Sequence, residues 1–523
     1  MKKNILHRSL SNGIGGGSDS GNFVINIDNY LTIEALEDGL TAKLSNNACE
    51  YCIDGDGVWK TLAVNTTTPS INQGQIISFR GNLTPNSSNG IGTFTISKKC
   101  NIKGNCISML FGDDAENNYS LSGKNYTFYK MFYNCTNIIE VSPNFLTATT
   151  LAYYCYYNMF YGCTSLTTTP ELPATTLANY CYYSMFQGCT SLTTAPSILP
   201  ATTLANYCYQ SMFSGCTSLT TAPELPATTL AVSCYFGMFN GCKSLTMAPE
   251  LPATTLAKSC YYYMFYGCTS IITTPELPAT TLADNCYQSM FSGCTSLTTA
   301  TELPSTKLSD YCYDNMFYKC TSLTTAPELP ATTLAEYCYS SMFNYCTSLT
   351  TAPDLPATTL ANYCYSSMFS NTNVLPDCNN INFSSYSVVS SGGLKGLFCG
   401  TKVTDDDLRN ILPINPLTGN YYLPVTTLSN SCYDLMFENC KSLTKAPDLP
   451  ATTLVRNCYR NMFFGCSKLN HIKAMFTTTP SSSYTNNWVW GVSSAGTFVK
   501  NENATWNVTG NYGIPSGWTV LTA

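Results

Sequence analysis

Leucine, cysteine, methionine and phenylalanine return at fixed places along most of this chain, with threonine, serine, asparagine and tyrosine between them. From Leu177 to Phe186 the sequence reads LANYCYYSMF, and Leu177, Cys181 and Met185 fall at i, i+4 and i+8. That spacing puts them on one face of about two helical turns and predicts a short helix whose apolar face points inward. Thr176 stands where an N-cap belongs, and Gly188 where the helix must end. Cys189 and Leu192 then bring the chain back into the core, and Leu192-Thr193-Thr194-Ala195 reads as a strand. Pro196 lacks an N–H and limits that strand to a few residues. At the return corner Leu172, Leu199, Leu225 and Leu251 each directly precede a proline and are expected to seal the core.

The whole block recurs every 26 residues, with one step of 27 where Ser197-Ile198 lengthens the corner. Two cysteine columns mark it. They are Cys155 and Cys163, Cys181 and Cys189, Cys208 and Cys216, Cys234 and Cys242, Cys260 and Cys268, Cys286 and Cys294, Cys312 and Cys320, and Cys338 and Cys346. A fixed period in this range means a solenoid, in which each unit buries its apolar face only against its neighbours. The expected fold is an α/β solenoid over residues 104–473, one short strand and one short helix per unit, with a parallel sheet on one side and helices on the other. Ahead of it, alternating runs such as YLTIEAL at Tyr30 and QIISFRG at Gln75, separated by turn residues, predict a small all-β sandwich over 23–103. Residues 1–22 contain GIGGGSDSGN and read as a flexible tether. Residues 371–431 interrupt the period and read as degenerate coils with surface loops, and 474–523 as a carboxyl-terminal cap rich in tryptophan.

The segment MFQGCTSLTTAP from Met185, with the ELPATTLA that flanks it, resembles position by position the BspA-type leucine-rich repeat, whose units read roughly AFxGCxxLxxIxLPxxVxxIG. The resemblance runs from about Tyr126 to His471. It departs from the family in unit length, because the CYYS segment is extra. The stretches GNCISMLFGDD (Gly104 to Asp114) and GTFVKNENATWNVTGNYGIPSGWTV (Gly496 to Val520) also resemble the ends of such proteins encoded by gut Bacteroidales and their phages. The resemblance implies a leucine-rich-repeat solenoid.

Composition narrows the function further. Only 11% of the 523 residues are charged, the net charge is −6, and no lysine or arginine cluster is visible, so nucleic acid is not an expected partner. No stretch approaches the roughly 18 apolar residues of a membrane span, and the first residues lack the apolar run of a signal peptide. Most of the 28 cysteines follow the repeat. Thr127, Thr372 and Thr401 take cysteine slots in three units, which suits small buried side chains better than a bridge inside every unit. Bridges between neighbouring coils stay open.

Catalytic chemistry has little to work with. There are two histidines, His7 and His471, so a Ser-His-Asp or Cys-His arrangement has almost nowhere to form. Cys49 and Cys52 make one CxxC pair without a second, and Asp54 and Asp56 lie in a tight-turn sequence that lacks the other ligands of a calcium loop. No metal and no cofactor is expected. Binding is the better candidate. The TTAP segments scarcely change between units, whereas the pair before the first cysteine varies: NY, NY, VS, KS, DN, DY, EY, NY from Asn179 onward. Tyr156, Tyr157, Tyr182, Tyr183, Tyr261 and Tyr262 are candidates for stacking on sugars, as are Trp488 and Trp490 if they do not simply cap the core. The expected function is that of a non-enzymatic phage virion protein, a fibre or head-decoration element. It would hold other virion proteins through its amino-terminal region and touch a host surface protein or glycan through the solenoid. A bacterial cell-surface adhesin is the alternative and an enzyme a distant third; an oligomer is compatible with all three.

Overall fold

The computed structural model describes residues 25–373, 383, 386 and 389–523. The expected tether at 1–22 lies outside these residues, as does part of 371–431.

The repeat region is a stack of coils, but its backbone is not the one the apolar spacing predicts. In the unit around Cys181, alternate amides do different work. The N–H groups of Cys181, Tyr183, Met185, Gln187 and Cys189 close turns onto the carbonyl three residues earlier, at 3.1–3.4 Å. Those of Tyr180, Tyr182, Ser184, Phe186 and Gly188 reach the next coil, donating to Asn206, Cys208, Gln210, Met212 and Ser214 at 2.8–3.1 Å. Every fourth residue is left-handed, with φ of 58° at Tyr180, 50° at Ser184 and 75° at Gly188. The segment is a spiral of consecutive β-turns knitted edge-on to its neighbours.

The expected helix is therefore absent. Among the described residues the α-helices are α1 (Ser108–Phe111), α2 (Asp405–Ile411) and α3 (Ser482–Thr485), all outside the regular coils. The reason is spacing. Helices satisfy their own backbone and pack about 8–10 Å apart, whereas Phe160 and Phe186 on successive coils stack at 5.5 Å. A turn spiral hands half of its amides to the next coil and so fits this closer stack.

The strand of each unit also shrinks. Thr194 forms single parallel bridges to Thr168 and Thr221, and Thr176 bridges Thr150 in a second rail instead of capping a helix. Cys181, Met185 and Leu192 are buried as expected, and so are the corner leucines Leu172, Leu199, Leu225 and Leu251; Leu177 is only partly covered. Two aromatic columns fill the core. Tyrosines from Tyr156 to Tyr365 stack at 5.5–6.0 Å. Phenylalanines from Phe132 to Phe369 stack beside them at 5.3–5.9 Å.

Real sheets occur at the two ends. The amino-terminal region is all β, in strands β1 (Leu31–Ala35), β2 (Ala42–Leu44), β3 (Cys49–Ile53), β4 (Lys60–Leu62), β5 (Ile76–Arg80), β6 (Phe94–Ile96) and β7 (Cys100–Lys103). With β8 (Ile138–Val141) of the first coil they form a six-stranded sheet in the order β4-β3-β5-β1-β7-β8, and β2 pairs with β6. Pairing is antiparallel except between β7 and β8, which run parallel. The amino-terminal sheet thus continues straight into the solenoid and covers its first coil. At the far end β9 (His471–Ala474), β10 (Thr497–Lys500) and β11 (Thr519–Thr522) make a parallel sheet, with β10 in the middle.

Candidate functional site

The turn spiral alternates doublets. Cys155-Tyr156 and Met159-Phe160 point into the core, while Tyr157-Asn158 and Tyr161-Gly162 lie at the surface. This splits the six candidate tyrosines. Tyr156, Tyr182 and Tyr261 are 0–1% exposed and belong to the inner ladder, so they offer nothing to a ligand. Tyr157, Tyr183 and Tyr262 are half-buried at the surface.

Two surface columns run side by side over the first coils. Tyr126, Tyr154, Tyr180 and Tyr207 stack at 4.9, 4.7 and 4.6 Å, within 9° of parallel. Tyr129, Tyr157 and Tyr183 stack at 5.1 and 4.7 Å. A further stack, Tyr311, Tyr337 and Tyr363, lies towards the other end of the regular coils at 4.7 and 4.6 Å. Each inner ring has both faces covered by its neighbours. What the columns present outward is ring edges and phenol hydroxyls, one per coil, so a sugar cannot stack on the faces of Tyr154 or Tyr180. The Tyr157 phenol is a neutral donor and acceptor at physiological pH, and partial burial raises it further, to about 12. Tyr126, Tyr154, Tyr180 and Tyr207 were missed as candidates, although the NY and DY pairs before each first cysteine carry the signal.

The thiols have a structural task. Each Sγ of the second column donates to a phenylalanine carbonyl of the preceding coil, as Cys189 does to Phe160 and Cys216 to Phe186, both at 3.1 Å. Where threonine takes this slot, Thr372 and Thr401 donate at 2.7 Å to Phe369 and Phe398 of their own coil. The cysteines among the described residues are free, and burial raises the Cys181 and Cys189 thiols to about 12. A thiol so placed is a poor nucleophile. Cys49 and Cys52 are likewise buried in β3, and no group of three metal-ligating side chains exists among the described residues.

The BspA-type leucine-rich repeat region matches this sequence in six copies, over residues 121–246, 207–350 and 258–390, which together span just over half of the chain. The chain belongs to the BspA-type leucine-rich repeat family. Repeats of this type point to a surface or adhesion-type protein. Among solved structures, the crystal structure of a TLR13–ssRNA13 complex is similar at 13% identity with a TM-score of 0.21, over 73% of this chain and 52% of that one. The chain thus spans about half the length of that relative. No curated protein matches it.

The other faces of the BspA-type solenoid are chemically plainer. On the threonine side, hydroxyls such as those of Thr193 and Thr220 are spent on carbonyls of the preceding coil at 3.2 Å. At the return corner the ELP segment sets one exposed carboxylate on each of several coils, from Glu224 and Glu250 to Glu328 and Asp354, a row that sequence reading passed over. Trp488 is a cap residue: it is fully buried against Phe463 and donates from Nε1 to the Gly513 carbonyl at 2.9 Å. Trp490 is 53% exposed and remains available. Charge enters the core at Asp434, whose carboxylate is held by Arg460 at 2.6 Å. At the equivalent place Asp314 has neutral partners, among them Gln288 and Asn315, and burial raises its carboxyl above the ordinary value of 3.8. No described helix is long and apolar enough to cross a membrane.

Proposed function

We propose that the chain is a non-enzymatic recognition protein that lays the tyrosine-lined side of its solenoid against a hydroxyl-rich partner, a glycan or a surface protein. The observation that carries this reading is the pair of tyrosine columns over the first coils, which offers hydroxyl-bearing edges at a regular step. Such a row suits weak contacts made many times, since each added coil raises avidity without new chemistry. The buried thiols, with that of Cys181 raised to about 12, are poor nucleophiles, which suits a role without catalysis.

We place it on a phage virion, with the amino-terminal sheet toward the particle and the coils toward a Bacteroidales host; a bacterial cell surface is the second placement. Mass spectrometry of purified virions separates the two. The recognition claim is tested by the fourfold variant Tyr154→Phe, Tyr157→Phe, Tyr180→Phe and Tyr183→Phe, which keeps the ring stacks and removes the hydroxyls. Labelled full-length protein should lose at least tenfold in binding to Bacteroidales cells while its thermal midpoint stays put. Undiminished binding would exclude the tyrosine columns as the contact.

A further inference from the structure

The interruption in the repeat builds a cleft at the return corner whose lining differs from that of the clefts between regular coils. Asp448 occupies, in its APDLP segment, the place of Glu250 and Glu328 in their APELP segments. Those two are exposed, whereas Asp448 is only 7% exposed. The difference lies in the residues before it. Helix α2 is anchored by a capping box between Thr404 and Asp407, and the chain then folds back as a hairpin in which Ile414 bridges Tyr421. Arg409 of α2 holds the hairpin tip by donating to the Gly419 carbonyl at 3.2 Å, and Tyr422 bridges Asp448 itself. The hairpin roofs the carboxylate over.

The cleft is open to solvent and holds about 350 Å³, within the roughly 300–1,000 Å³ of small-molecule pockets, and its walls include Asn415, Leu417, Tyr422, Asp448, Lys473 and Met475. The carboxylate is half used. Its Oδ2 accepts from Asn420 Nδ2 at 3.4 Å and stands 3.9 Å from Lys473 Nζ, while Oδ1 is buried with no hydrogen-bond partner among the described residues. A buried acceptor short of donors costs about 1–3 kcal/mol, and the part of the Asp448 side chain left exposed lies away from Oδ1, so a donor arriving through the cleft meets Oδ2.

We infer that this pocket binds a neutral pyranose. Lys473 disfavours a cationic ligand and Asp448 an anionic one, whereas a pair of adjacent hydroxyls satisfies both at once. One hydroxyl donates to Asp448 Oδ2, and its neighbour accepts from Lys473 Nζ. The C–H face of the ring then lies on Leu417 and Met475. Leu417 is 93% exposed at the rim, and such a contact would cover it. The inference rests on the reading of this chain as a surface-recognition protein, but it concerns a site separate from the tyrosine columns.

The test is a titration of the full-length protein with methyl hexopyranosides, followed by ligand-observed NMR, with methylammonium and acetate as charged probes. Saturable binding of at least one pyranoside is expected, stronger than that of either charged probe. It should weaken at least tenfold in Asp448→Asn and in Leu417→Asp, and persist in the fourfold tyrosine variant. Leu417→Asp alters an exposed side chain and decides the matter if Asp448→Asn unfolds. Absence of saturable pyranoside binding, preference for a charged probe, or binding that survives both pocket substitutions overturns the inference. Because cell binding by the fourfold tyrosine variant is read separately, failure here leaves the tyrosine-column reading to stand or fall by itself.

Discussion

At the scale of single residues, the repeat tolerates polarity where a donor can find a carbonyl and tolerates no loss of volume. Cys216 and Leu219 lie in the same coil and are both fully buried. Cys216→Thr is expected to lower stability by less than about 1 kcal/mol, because a threonine there can donate to a phenylalanine carbonyl as Thr372 and Thr401 do. Leu219→Ala should cost about 2–5 kcal/mol, since it opens a cavity between coils that cannot close up. Denaturant unfolding of the two full-length variants checks the contrast. The core positions of cysteine, methionine and leucine were legible in the sequence, because their periodic placement reports burial directly. The tyrosines were not. In CYY one ring goes in and the next goes out, and residue type alone does not distinguish Tyr156 from Tyr157.

At the scale of the element, the period was read correctly and its backbone was not. Leu177, Cys181 and Met185 repeat every four residues, and over two turns four is hard to tell from the 3.6 of an α-helix. The doublet pattern carried the missing information. Cys181-Tyr182 and Met185-Phe186 inside, with Tyr183 between them at the surface, follow a spiral of four-residue turns. A helix face would spread its apolar positions as i, i+3, i+4 and i+7. Glycine and asparagine, which accept a left-handed backbone most readily, hold some of the every-fourth places, as at Gly188 and Asn158, but serine and tyrosine hold others, as at Ser184 and Tyr180, so residue type marks the turns only in part. The expected consequence is spectroscopic: far-UV circular dichroism of the full chain should lack the paired minima of an α-helical solenoid. A spectrum with one two-turn helix per repeat would refute the turn spiral.

At the scale of the whole molecule, a uniform core supports a surface that is not uniform. The inner ladders run nearly unbroken from Phe132 to Phe369, while tyrosine columns occupy the first coils and the last regular ones, and the hairpin covers a carboxylate at Asp448. The solenoid and its two ends were visible in the sequence because repetition, and its loss, are one-dimensional signals. The pocket was not, because it depends on a hairpin at Ile414–Tyr421 meeting a carboxylate in the next unit. The most direct test of the central claim, that the tyrosine side makes the contact, is hydroxyl-radical footprinting of the full-length protein bound to Bacteroidales cells. Tyr154, Tyr157, Tyr180 and Tyr183 should be protected on binding, while Met247, 74% exposed in the TMAP segment of the threonine side, should oxidise as fast as in the free protein. Protection of Met247 with the four tyrosines unchanged would contradict the account.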